Sequence, residues 1–276
     1  MTGPLVSVRD LAVHFPVRKG LFGRPAEVVK AVDGISFDLH AGRTLALVGE
    51  SGCGKSTTGY AVMGMEEPSS GQVIIEGRDR AAMSAAERHA LTRRMQIVFQ
   101  DPASALNPRM SLGAAIAEPL VIHGIGTRAS RAARVHELLG LVGLSAAAAD
   151  RLPGAFSGGQ RQRIVIARAL ALEPEVIVCD EAVSALDVSI QSQILNLLMQ
   201  LQRDLGLSYL FISHDLSVVR HIADEVAVMY FGEIVETGPV DDVFASPQHA
   251  YTRTLLAAVP RPEAAFDRDG AVHRQP

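Results

Sequence analysis

Short, uninterrupted apolar runs alternate along this chain with longer stretches in which apolar residues recur every three or four positions. The runs are Leu5–Val8, Thr44–Val48, Gln72–Ile75, Gln96–Phe99, Val176–Cys179, Tyr209–Ile212 and Val226–Tyr230. Most are continuous rather than alternating, the pattern of strands covered on both faces, and they predict a largely parallel sheet. Between them, Thr57–Met63, Gln160–Leu172 and Ile190–Leu205 read as helices. Strands interleaved with helices predict an α/β architecture.

One segment breaks this rhythm. From about Asp101 to Phe156 no strand pattern occurs, whereas Leu112–Ile122 and Ser130–Leu141 read as helices. Asp101-Pro102 opens the segment and Leu152-Pro153-Gly154 closes it, both of them boundary signals. The expected division is an α/β core over 1–100 and 157–240, with an inserted helical lobe over 101–156. A short C-terminal helix and tail would follow over 241–276, mobile from Asp267 to Pro276.

Composition narrows the field. The 276 residues suffice for one large α/β domain or a core with a smaller lobe. A net charge of −4 gives no support to nucleic-acid binding, and 5% aromatic content leaves few platforms for stacking bases. No apolar run approaches the roughly 20 residues that a membrane-spanning helix needs. Met1–Leu5 lacks a secretion signal, so a cytoplasmic location is expected. Two cysteines, Cys53 and Cys179, exclude a disulfide framework and a cysteine-built metal centre. Nine histidines show no ligand spacing, and no structural zinc is expected.

The chemistry is concentrated at Gly49-Glu50-Ser51-Gly52-Cys53-Gly54-Lys55-Ser56-Thr57, a full match to G-x-x-x-x-G-K-[ST]. Its glycines allow successive backbone N–H groups to turn inward as an anion nest. The helix that follows adds its N-terminal dipole. Lys55 would reach the β- and γ-phosphates of ATP, and the Ser56 hydroxyl would ligate Mg²⁺. The chain has only Lys19, Lys30 and Lys55 as lysines, so the motif does not come from a lysine-rich background. Cys53 reads as a tolerated small residue, with redox sensing as the alternative.

Val176–Cys179 ends in Asp180-Glu181, and open α/β sheets bind ligands beyond the carboxyl ends of their strands. Adjacent acids there are costly to bury unpaired. A Mg²⁺ ion at Asp180 would compensate one charge, leaving Glu181 to orient and deprotonate an attacking water. The plainer alternative is a strand that surfaces in charged residues.

Phe156-Ser157-Gly158-Gly159-Gln160 opens another helix. Ser157 and Gln160 fit a capping box, yet two glycines in a first turn cost about 1 kcal/mol each relative to alanine. They make sense where another group approaches the backbone, and a phosphate on free N–H groups is compatible with capping. Gln100 and His214 both follow strands, near the expected phosphates.

Together these residues resemble the ATPase subunit of an ABC transporter. Gly49–Thr57 matches Walker A, Gln100 the Q-loop, Ser157–Gln160 the signature, and Asp180 with Glu181 the end of Walker B. Ser184-Ala185-Leu186-Asp187 matches the D-loop and His214 the switch histidine. The resemblance implies an α/β P-loop NTPase (RecA-like) core with a mostly parallel sheet, an antiparallel β N-terminal part and an inserted helical subdomain. It implies ATP and Mg²⁺ as cofactors, with Gly49, Ser51, Gly52, Cys53, Gly54, Lys55, Ser56 and Thr57 on the nucleotide. Ser56, Gln100 and Asp180 would surround the metal, and Glu181, His214 and Gln100 would form the catalytic group. Two cassettes would stack head to tail, so that Ser157, Gly158, Gly159, Gln160 and Asp187 complete a partner subunit's site. Phe15 aligns with the aromatic that stacks on adenine, although Phe22 is nearby and Phe15 also fits a core position.

Leu21–Pro25, Val29–Gly34, Phe99–Pro102, Leu106–Arg109 and His249–Thr252 resemble the dipeptide/oligopeptide importer group, a pattern shared with nickel importers. The implied partners are membrane permease subunits, a second ATPase subunit (identical or related) and, indirectly, an extracytoplasmic solute-binding protein, with no nucleic acid. The implied location is the cytoplasmic face of the cell membrane. A soluble ABC ATPase of translation or DNA repair is the alternative from another class. Ala182 departs from the family, which commonly has proline there, and the tail lacks cysteines, so no iron–sulfur site is expected.

Overall fold

The computed structural model describes residues 3–17 and 27–258. The importer-like segment Leu21–Pro25 with Phe22, and the tail from 259 onward, lie outside the described residues. Ten strands and ten α-helices are described: β1 (Val6–Val17), β2 (Glu27–Leu39), β3 (Thr44–Val48), α1 (Lys55–Met63), β4 (Ser70–Ile75), β5 (Arg78–Asp79), α2 (Ala85–Arg94), β6 (Met95–Val98), α3 (Pro102–Ala105), α4 (Leu112–Ile122), α5 (Arg128–Leu141), α6 (Gly158–Ala169), β7 (Val176–Asp180), α7 (Val188–Leu205), β8 (Ser208–Ser213), α8 (Leu216–Ile222), β9 (Glu225–Tyr230), β10 (Glu233–Pro239), α9 (Val240–Ala245) and α10 (Ala250–Ala257).

Two sheets result. A six-stranded sheet in the order β10-β9-β3-β8-β7-β6 is parallel except for its β10 edge, and a four-stranded sheet β2-β1-β4-β5 is antiparallel. Alternation along β7 shows how the first sheet is covered. Val176 and Val178 pack with α1 and the antiparallel sheet, whereas Ile177 and Cys179 pack with the helices on the other side. With both faces covered there is no polar face to encode, hence the continuous apolar runs. A further apolar cluster joins α8, α9 and α10 to Ala46, Val48, Val226 and Val228.

The antiparallel N-terminal sheet that the resemblance implies is present, but its strands follow the apolar runs least. The apolar run Leu5–Val8 is only the start of β1, and β2 and β10 carry no continuous run. In β1, Asp10 adopts φ 47° and the register shifts between Val8 and Leu11, so the apolar pattern loses phase at a bulge. In β10 only one side is paired, and its polar residues are tolerated at the edge. Helix α2 buries only Leu91 and is fixed instead by a capping box between Ser84 and Glu87.

Two arginines tie the layers together. Arg94, at the end of α2, donates to both oxygens of Glu175 (2.7 and 2.6 Å) and to Glu76 of the β4–β5 turn (2.7 Å). Arg168 of α6 donates to the Ala105 carbonyl at 2.9 Å and to Glu118 of α4 at 2.8 Å. No helix among the described residues is long and apolar enough to cross a membrane.

Candidate functional site

The site forms where β3, β7 and β8 end side by side. The parallel register pairs Val48 with Ser213 and Asp180 with Ile212, which brings the phosphate loop, the acidic pair and His214 to one edge of the sheet. This is the edge at which open α/β sheets bind ligands.

Within the loop, Lys55 is buried, and its Nζ donates to the carbonyls of Gly49 (2.8 Å) and Glu50 (2.7 Å). The ammonium is thus held over the loop by groups that a phosphate can replace. Gly232 N–H donates to the Cys53 carbonyl at 3.1 Å, so the β9–β10 turn supports the loop from beneath. A Cβ on Gly49, at φ 153°, would overlap the Met229 carbonyl oxygen and lie 2.9 Å from Cys53 Sγ. Burial pushes the Cys53 thiol up from its ordinary pKa despite the neighbouring Lys55, which suits a small packing residue better than a reactive thiolate.

The Ser56 hydroxyl donates to Asp180 Oδ1 at 2.8 Å. Asp180 Oδ2 accepts from the Tyr60 hydroxyl at 2.9 Å, so both oxygens of this buried carboxylate are held by one face of α1. Burial, and then the contact with Asp180, push the Tyr60 phenol up to about 12. Tyr60 is absent from the sequence-derived site. The signal for it was its i, i+4 spacing from Ser56, which puts a second hydroxyl on the same helix face.

Glu181 adopts φ 49°, and its backbone N–H donates to the Ile212 carbonyl at 3.0 Å. Its Oε1 lies 3.1 Å from His214 Nδ1. Ser184 Oγ donates to the Glu181 carbonyl at 3.0 Å, and Gln100 Nε2 donates to Ser184 Oγ at 3.2 Å. Gln100, the Glu181 turn and His214 are therefore linked in one chain of contacts. Ala182 is buried, and the turn is closed by Ser184 N–H donating to the Glu181 carbonyl at 3.1 Å, so the missing proline does not open it.

Other expected residues lie apart from this cluster. Ser157 caps α6 as the capping box foresaw, Gln160 N–H donating to Ser157 Oγ at 3.3 Å and Ser157 N–H to Gln160 Oε1 at 3.0 Å. No hydrogen bond or ion pair among the described residues joins Ser157–Gln160 to the phosphate loop. Gly159 is buried, and a Cβ there would overlap Ile190 of α7, so packing within the chain accounts for that glycine. Gly158 is exposed and nothing in the chain crowds it. Asp187 caps α7 by accepting from Ile190 N–H at 3.0 Å. The Ser189 hydroxyl and that amide hold its carboxyl below the usual carboxylate range. Phe15 lies in β1 opposite Val29 and is 39% exposed, which removes it from the core.

Residues 32–184 match the family model described as ABC transporter, and residues 235–275 match the one described as Oligopeptide/dipeptide transporter, C-terminal region. The chain is 56% identical over 257 residues to the Glutathione import ATP-binding protein GsiA of Salmonella typhimurium strain LT2, covering 93% of this chain and 41% of that protein. Against GsiA of Escherichia coli strain K12 it is 55% identical over 265 residues, covering 96% and 42%. The chain thus spans about two fifths of the length of these curated relatives. Among solved structures, cbiO1 from Clostridium perfringens, part of the ABC transporter complex cbiONQ, superposes with a TM-score of 0.76 at 27% identity, covering 88% of this chain and 92% of that one. A dimeric post-hydrolysis state of the ATP-binding cassette MJ0796 bound to ADP and Pi gives 0.73 at 26% identity, covering 85% and 98%.

Proposed function

We propose, taking as premise that this chain belongs to the ABC transporter family, that it hydrolyses ATP to drive a membrane importer of peptide-like solutes. The observation that carries the ATPase reading is the Ser56–Asp180 contact beneath the phosphate loop, with Glu181 and His214 in contact beside it. The peptide-like substrate class is supported by the C-terminal family match and by the import of glutathione named for the relatives. On this reading the chain works at the cytoplasmic face of the membrane, with permease subunits, a second ATPase subunit and, indirectly, a solute-binding protein.

Each residue then has a task. Lys55 exchanges its two carbonyl partners for the terminal phosphates, while the loop N–H groups and the α1 N-terminus hold their charge. Ser56 and Asp180 supply hard oxygen donors within hydrogen-bond reach of each other, a donor set that fits Mg²⁺, and the Gln100 amide is the third expected ligand. When bound, that ion neutralises developing phosphate charge. Tyr60 keeps Asp180 from rotating away. Glu181 takes the proton of the attacking water, and His214, in contact with that carboxylate through Nδ1, bridges the γ-phosphate and the water. Removing divalent ions with a chelator is expected to bring phosphate release to background, and added Mg²⁺ to restore it.

Ser157, Gly158, Gly159, Gln160 and Asp187 are assigned to the ATP held by a partner subunit, and Phe15 to the adenine. Support for the first assignment comes from the exposed α6 N-terminus, whose contacts leave the chain's own phosphate loop untouched. The test is complementation. A Lys55→Ala chain and a Ser157→Arg chain are each expected to be inactive alone. Mixed, they form dimers with one intact site, and ATPase activity returns to a substantial fraction of wild type. No recovery on mixing would count against the shared site.

A further inference from the structure

The segment His249-Ala250-Tyr251-Thr252 has so far no role in the chemistry, yet the structure brings it to the phosphate loop. Glu50 N–H donates to the Tyr251 hydroxyl at 3.1 Å. The peptide unit between Gly49 and Glu50 is thereby held at both ends, since its carbonyl, that of Gly49, accepts from Lys55 Nζ at 2.8 Å. The tyrosine itself is fixed. Its ring packs on Tyr230 with centroids 4.1 Å apart, and α10 is moored to β10 because Gln248 and His249 N–H groups donate to Glu236 at 2.7 and 2.9 Å. Tyr230 follows Met229, whose carbonyl lies where a Cβ on Gly49 would fall. The same peptide unit is thus bounded by the lysine, by the end of β9 and by α10.

We propose that Tyr251 is a positioning residue for the phosphate loop, and that docking of α10 and nucleotide binding are linked through it. The inference rests on the reading that this loop binds ATP. Lys55 leaves the Gly49 carbonyl when it turns to phosphate. From then on Tyr251 is the remaining side chain that holds this peptide in orientation. Without the hydroxyl the peptide rotates more freely, the nest-forming conformer is less populated, and apparent affinity falls in proportion. Linkage is reciprocal, so nucleotide must also steady α10. The C-terminal segment thereby becomes a place where a bound partner alters nucleotide affinity.

The test is Tyr251→Phe in the full chain, which keeps the ring on Tyr230 and removes only the hydroxyl. Titration with Mg²⁺ and adenylyl imidodiphosphate is expected to give a Kd about fivefold weaker than wild type, the worth of one hydrogen bond. Without nucleotide the thermal midpoint should fall by no more than about 2–4 °C, the share of one hydrogen bond. Steady-state hydrolysis should show the same rise in KM with kcat preserved, a split that a general packing defect does not produce. In wild type the analogue should slow amide exchange in α10, and in the variant that protection should be lost. Equal Kd and equal exchange protection in the two proteins would overturn the proposal while leaving the ATPase reading intact. A wild-type chain that does not bind the analogue would instead defeat that reading and the proposal with it.

Discussion

Glu181→Gln is expected to lower steady-state ATP hydrolysis by about two to four orders of magnitude, the usual worth of a positioned general base. The substitution changes little else. Glutamine has the same shape, can still meet His214 Nδ1, and leaves the backbone contacts from Glu181 to Ile212 and Ser184 untouched. The left-handed φ of 49° costs about 1–3 kcal/mol for a non-glycine residue, and it is held by that same turn. Such strain is reasonable where the carboxylate must project past the end of β7. Nucleotide affinity should therefore stay within a few-fold of wild type. If two chains share each ATP as proposed, unhydrolysed nucleotide holds them together, and ATP-bound dimers should accumulate in gel filtration. Wild-type turnover by the variant would remove Glu181 from the base role and leave His214 as the candidate.

Gly49→Ala is expected to abolish nucleotide binding, raising Kd by more than about 100-fold, and to lower the thermal midpoint by about 5 °C or more. The backbone there lies at φ 153°, which L side chains rarely adopt, and the new methyl would overlap the Met229 carbonyl. A clash with backbone has no flexible neighbour to absorb it, and about 2–3 kcal/mol is a fair expectation for strain of this kind. In a chain of this size each kcal/mol moves the midpoint by about 2–4 °C. Calorimetric melting together with analogue titration checks both parts. An alanine variant that binds normally would show that Gly49 is not seated against Met229 of β9.

The phosphate loop was legible because its chemistry is contiguous. Nine neighbouring positions carry the lysine, the hydroxyl and the glycines, and nothing distant is needed to read them. The acidic pair was legible as well, since an apolar strand ending in two carboxylates is a local pattern. What joins them is not local. Ser56 meets Asp180 through the pairing of β3 with β8 and of β8 with β7, and no pattern within either segment specifies that order. Tyr60 escaped notice because a tyrosine in mid-helix reads as packing until its partner is known. β2 and β10 escaped for the opposite reason. In β2 the buried Ile35, Phe37 and Leu39 alternate with polar residues and so form no run, whereas the polar residues of β10 suit an edge position. The two glycines of Ser157–Gln160 divide instructively. Packing against Ile190 explains Gly159, while Gly158 remains open for whatever approaches from outside the chain.

The guanidinium of Arg94 has a mechanical corollary. It lies at the joint where α2 passes into β6, the strand leading to Gln100, and it grips a carboxylate from each sheet. Planar, forked contacts of this kind resist sliding as well as separation. A push on α2 from outside is therefore shared between both sheets at its point of entry. It reaches the strand before Gln100 as a displacement of a stiff body, with little lost to shear between the layers.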